Sequence, residues 1–116
     1  MKEIRAIIRP KCLSNLRQAL REIPDFPGVT VFKGEGFAAP GEVGKRTVRE
    51  ELTDFSEKVL ITVITHDAMV KVIAETILRE CRTGHLGDGL LWILPIDGVQ
   101  CIRDGKWMQA PGTDAG

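Results

Sequence analysis

The chain has 116 residues, 43% of them hydrophobic, and its 16 basic and 16 acidic side chains cancel to a formal charge of zero. That length suits one domain of about 100–150 residues, still small enough to leave much apolar surface uncovered and available for self-association. Nucleic-acid binders carry a basic excess or stripe because phosphate neutralisation dominates their affinity, so balanced charge argues against that class. Met1–Pro10 alternates too regularly for a signal peptide, and no apolar run approaches membrane-spanning length, so a cytoplasmic protein is expected. The three cysteines, Cys12, Cys81 and Cys101, are scattered and odd in number, which suits free thiols better than a disulfide framework or a zinc site.

Ile4, Ala6 and Ile8 alternate with Arg5, Ile7 and Arg9 and predict a first strand, ended by Pro10. A helix follows, with Leu13, Leu16, Leu20 and Ile23 on one stripe and Arg17, Gln18 and Arg21 outside. Pro24, Pro27 and Gly28 mark a turn, and the β-branched and aromatic run Val29 to Lys33 predicts a second strand. Between Gly34 and Glu57 the periodicity fails. An irregular connection longer than about 12–15 residues inside a small domain is usually functional or disordered. Val59 to Ile64 reads as a third strand. Asp67 is expected to cap a helix that turns Val70, Ile73, Ile77, Leu78 and Cys81 inward, with Glu75 and Arg79 as an i,i+4 pair. Thr83–Gly89 is a glycine-rich loop, Leu90 to Ile96 a fourth strand and Val99 to Arg103 a short fifth. From Asp104 a polar tail is expected to be loose apart from Trp107.

The order β-α-β-loop-β-α-β predicts an α+β, ferredoxin-like βαββαβ fold: an antiparallel sheet with both helices on one face. The other face would carry Ile7 and part of the 59–64 run. An apolar face without helices needs another layer, and copies of the same chain are the economical source.

Gly84, Gly87 and Gly89 can turn successive backbone amides inward, which makes an anion or phosphate nest; a helix C-cap followed by a tight turn is an equal reading. Gly34-Glu35-Gly36-Phe37-Ala38-Ala39 matches a dinucleotide fingerprint on paper. Pro40 and Gly41 follow where a helix must begin, so that reading is rejected. His66 and His85 lack ligand partners at fixed spacing, and Cys12 and Cys81 read as small core residues. No nucleophile–base combination stands out, so no enzyme is nominated.

Three segments carry a family resemblance. Met1–Pro10 resembles the first strand of the PII signal-transduction family, Asp54-Phe55-Ser56-Glu57-Lys58-Val59 the end of its T-loop, and Thr83-Gly84-His85-Leu86-Gly87-Asp88-Gly89 its B-loop. The resemblance implies a PII-like domain over residues 1–105, with a T-loop at about 38–54, a B-loop at about 83–89 and a tail over 106–116. It also implies a homotrimer with adenine nucleotides (ADP, AMP or ATP) in the inter-subunit clefts, and a T-loop that docks on a target protein, which could be a membrane transporter although this chain is not membrane-inserted. By position, Ile7, Thr30, Gly36, Phe37 and Ile64 would line the nucleotide site, Gly87, Asp88 and Gly89 would hold phosphates and Arg103 would supply charge. There would be no resident cofactor, no metal and no catalytic residue.

The chain departs from the pattern at Leu90, where the family has a lysine, at Cys101, where it has an arginine, and at Ala39 and Pro40 in the T-loop. A charge-assisted bond to phosphate is worth roughly 1.5–3 kcal/mol. The losses should therefore tilt preference from ATP towards ADP or AMP. Pro40 stands where the family holds its magnesium and 2-oxoglutarate ligand, while Lys58 remains, so a smaller carboxylate or bicarbonate becomes the expected second effector. A CutA-like trimeric metal-binding protein using His66, His85 and the cysteines is the competing class. Slow ATP hydrolysis at Asp88 is a weaker third.

Overall fold

The computed structural model describes residues 1–36, 56–85 and 87–108. Its elements run β1 (Lys2–Ile8), α1 (Leu13–Arg21), β2 (Thr30–Gly36), β3 (Ser56–Thr65), α2 (Val70–Cys81) and β4 (Leu90–Pro95). Single 3-10 turns, Pro10–Cys12 and Asp67–Met69, lead into the two helices. The strands form one antiparallel sheet in the order β2-β3-β1-β4, the ferredoxin-like arrangement.

Strand alternation sorts the side chains. Ile4, Ala6 and Ile8 of β1 and Val59, Ile61 and Val63 of β3 are buried on one face. Leu16 and Leu20 of α1 and Ile73, Ile77 and Cys81 of α2 close over them to complete the core. The α2 residues fall at i, i+4 and i+8, one stripe of the helix. Leu78 lies outside that stripe and is exposed, contrary to the inward position expected for it. Thr76 is buried because its hydroxyl donates to the Val72 carbonyl at 2.7 Å, which satisfies it within the helix.

Four further sequence expectations are revised. Asp67 makes no cap to α2; its carboxylate meets the amino group of Met1 at 3.2 Å instead. Arg79 turns to its neighbour Glu80 at 3.7 Å rather than to Glu75. The segment 99–103 is not a strand but a turn closed by one bridge, Gln100 to Trp107, with the Trp107 ring lying over Gly98. Finally, β2 and β3 both run further than expected, because Gly34, Glu35 and Gly36 pair with Lys58, Glu57 and Ser56. Ladder hydrogen bonds at that end override the low strand propensity of glycine.

Among the described residues, no helix lies over the second face of the sheet. Ile7, Leu60, Phe32 and Leu90 lie there, with Phe32 52% and Leu90 71% exposed. Among the described residues no helix is long and apolar enough to cross a membrane.

Candidate functional site

The open face meets the glycine loop at one end of the sheet, and a groove of about 730 Å³ forms there. That lies in the ~300–1,000 Å³ range of small-molecule sites. Its floor is apolar, from Ile7, Leu60, Phe32 and Leu90. One wall is the end of β2, Lys33 to Gly36; the other is the loop, with His85, Gly87, Asp88 and Gly89. Lys58 stands between them.

The loop is built around the Asp88 carboxylate. It accepts hydrogen bonds from the backbone amides of Thr83 and Gly84, each at 2.8 Å, and from the Thr83 hydroxyl. Arg9 Nε approaches it at 3.5 Å. The Thr83 hydroxyl first, then the backbone amides and Arg9, hold this carboxyl down at about 2 against an ordinary 3.8. Its side chain therefore shapes the loop from within.

Two glycines are obligatory for different reasons. Gly87 has φ +90°, and a Cβ there would come within 3.1 Å of the Arg9 guanidinium. Gly89 has φ +109°, and a Cβ there would overlap the carbonyl oxygen of Ile7, which is backbone and cannot yield. Lys58 reaches the same corner, donating from Nζ to the Gly87 carbonyl at 3.4 Å. Lys58 and Arg9 thus converge beside the glycine turn, and their two positive charges suit the corner to an anionic group.

The structure brings Ile7, Gly36, Lys58, Gly87, Asp88 and Gly89 together around this groove. Thr30 and Ile64 share the open face but lie towards the other end of the sheet, outside the groove. Arg103 sits in the C-terminal turn, 85% exposed and 3.8 Å from Asp104, and does not line the groove of its own chain. Phe37 and the 38–54 segment lie outside the described residues. Sequence reasoning missed Arg9, Phe32 and Glu35. Arg9 looked like one more alternating strand residue, and its partner Asp88 is far away in the chain. Phe32 did carry a signal, as the aromatic residue within the predicted second strand.

His66 and His85 lie at opposite ends of β3, one following Thr65 and the other beside Lys58 in the groove wall. They cannot share an ion in one chain. Among the described residues no group of three or more metal-ligating side chains gathers.

The fold and site together define a ferredoxin-like α+β domain with a glycine loop at the edge of a sheet face that no described helix covers. The family model described as nitrogen regulatory protein P-II matches residues 1–106. Relatives include the nitrogen regulatory protein P-II of Azospirillum brasilense and the nitrogen regulatory protein P-II 1 of Escherichia coli K12. Each is 36% identical over 107 residues, covering 91% of this chain and 95% of the relative. The chain belongs to the P-II family of regulatory proteins.

Proposed function

We propose that the protein is a homotrimeric, non-catalytic regulator that binds an adenine nucleotide at each subunit seam and passes its occupancy to a target protein through the 38–54 segment. The observation that carries this reading is the groove itself. A glycine turn with Lys58 and Arg9 stands at one end, and an apolar floor that no described helix covers runs out from it across the sheet. A phosphate fits the first part, and an aromatic base needs the second part roofed. A neighbouring copy packed on the open face would supply that roof. It would also bury Phe32, Leu90 and Ile64, whose exposure within one chain is otherwise costly. Thr30, Phe37, Ile64 and Arg103 then contribute to the site across the seam; of these, Thr30, Ile64 and Arg103 lie outside the groove of one chain.

Phosphate preference follows from the cations at hand. Leu90 places an apolar side chain at the groove where the family has a lysine, and Cys101 is similarly uncharged. Fewer charges remain for distal phosphates, so ADP and AMP are preferred over ATP. Lys58 is the group for a small second effector such as bicarbonate. Ligand shifts the 38–54 segment only through unequal affinity for its conformations, so target choice tracks which nucleotide is bound. The target could be a membrane transporter or an enzyme.

Calorimetry with ADP, AMP and ATP, alongside light scattering for mass, tests the proposal. ADP or AMP should bind with micromolar or tighter affinity to a trimer, and ATP more weakly. A folded trimer that gives no heat with any of them would overturn the nucleotide assignment, and a monomer would overturn the seam.

A further inference from the structure

Beneath the glycine loop lies a pair of thiols that ligand binding does not use. Cys12 closes the 3-10 turn after β1, and Cys81 is the last residue of α2. The two are separated by 69 positions in the chain, yet their sulfurs lie 2.7 Å apart with the Cys12 thiol directed at Cys81. A covalent S–S bond is about 2.05 Å long, so a displacement of well under about 1 Å joins them. Both thiols are free in the structure, Cys81 buried and Cys12 half-buried. Small apolar side chains filling a gap between helices would account for the burial. That account does not require two sulfurs from separate elements to be apposed.

Their position gives them purchase on the loop. The Cys12 thiol and amide both lie 3.2 Å from the Arg9 carbonyl, and Arg9 is the cation that meets Asp88. On the other side, Cys81 is two residues before Thr83, whose amide and hydroxyl hold the same carboxylate. The polar ring that shapes the loop therefore runs through both cysteine-bearing segments.

We infer that Cys12 and Cys81 form a reversible intrachain disulfide that clamps the glycine loop at its base. The oxidant is a small-molecule disulfide of the glutathione class. Cys12, the more accessible thiol, gives its proton to solvent and attacks one sulfur of the oxidant; the oxidant's S–S bond breaks, one thiolate leaves and Cys12 is held in a mixed disulfide. Cys81 then loses its proton and attacks the Cys12 sulfur. The Cys12–Cys81 bond forms as the second thiolate departs. Two protein thiols are oxidised by two electrons, and one disulfide is reduced to two thiols. Burial, then the hydrogen bond and charge of Cys12, push the Cys81 thiol up. The contributions from Cys12 vanish once it is in the mixed disulfide, which eases the second step. This inference does not rest on the nucleotide reading.

The test equilibrates the whole chain in glutathione buffers of rising oxidised fraction, quenches in acid, unfolds, alkylates and maps the peptides by mass spectrometry. Cys12 and Cys81 should escape alkylation together and appear as one linked pair, while Cys101 stays alkylated; dithiothreitol should restore both thiols. Amide hydrogen exchange over residues 82–89 should slow at least about threefold on oxidation, and the thermal midpoint should rise by about 10 °C. Cys12→Ser should remove these changes and Cys101→Ser should keep them. Persistence of both thiols in the most oxidised buffer, a stalled glutathione adduct on Cys12 or a linkage through Cys101 would overturn the bond. A bond that leaves exchange at 82–89 unchanged would overturn the clamp.

Discussion

The two faces of the sheet have similar sequence chemistry and opposite fates. On the helix side, Ile4, Ile61 and Val63 are almost completely buried, with α1 and α2 closing over them. On the other side, Ile7, Leu60, Phe32 and Leu90 are as apolar, yet no described helix covers them, and Phe32 and Leu90 are exposed. The first face spends its hydrophobic free energy on folding one subunit. On the proposed function, the second is left for association with another copy and for a ligand at the seam. Two apolar sets on alternating positions therefore do different work, and substitution should separate them.

The largest effect is expected on the helix side. Ile73→Ala removes a fully buried side chain between α2 and the sheet and should cost about 2–5 kcal/mol of stability by chemical denaturation. The comparison fails if the loss is no greater than for Phe32→Ala in isolated subunits. On the open face, Leu60→Arg should leave the subunit folded by circular dichroism and reduce the mass in light scattering about threefold. A mutant trimer would show that this face is not the seam. Next in size, Gly87→Ala forces a side chain into a left-handed backbone and against Arg9, and should weaken ADP binding by about tenfold. Its global stability should fall by only about 1 kcal/mol. The smallest effect is the acid dependence of the loop. The Asp88 carboxyl is lowered from 3.8 to about 2, so what it contributes is present above pH 4 or so and is lost as pH falls through about 2. Asp88→Asn should therefore speed exchange at 82–89 at neutral pH, with the difference from wild type closing towards pH 2. A difference that persists unchanged at pH 2 would assign the effect to something other than the charge.

Much of the fold was legible in the sequence. The alternation of β1 and the helical stripe of α2 are local patterns; the first forms as read, and the second does so at Ile73, Ile77 and Cys81 but not at Leu78. Proline and glycine placed the turns for the same reason. The failures share a cause, contacts distant in sequence. Gly34-Glu35-Gly36 and Ser56-Glu57-Lys58 each look like loop and become strand only by pairing with each other. Asp67 looks like a helix cap but finds a stronger partner in the amino group of Met1. At the site, the glycine loop and Lys58 were readable because backbone freedom and charge are properties of single residues. Arg9 was not, because its meaning depends on Asp88, and nothing in the local sequence joins them.

The contact between Gly89 and the Ile7 carbonyl bears on any attempt to retune this protein as a biosensor. Variant libraries should hold position 89 constant, since every side chain there collides with a neighbouring strand's backbone. Diversity belongs at His85 and Leu90, which border the cavity and hold no left-handed backbone conformation.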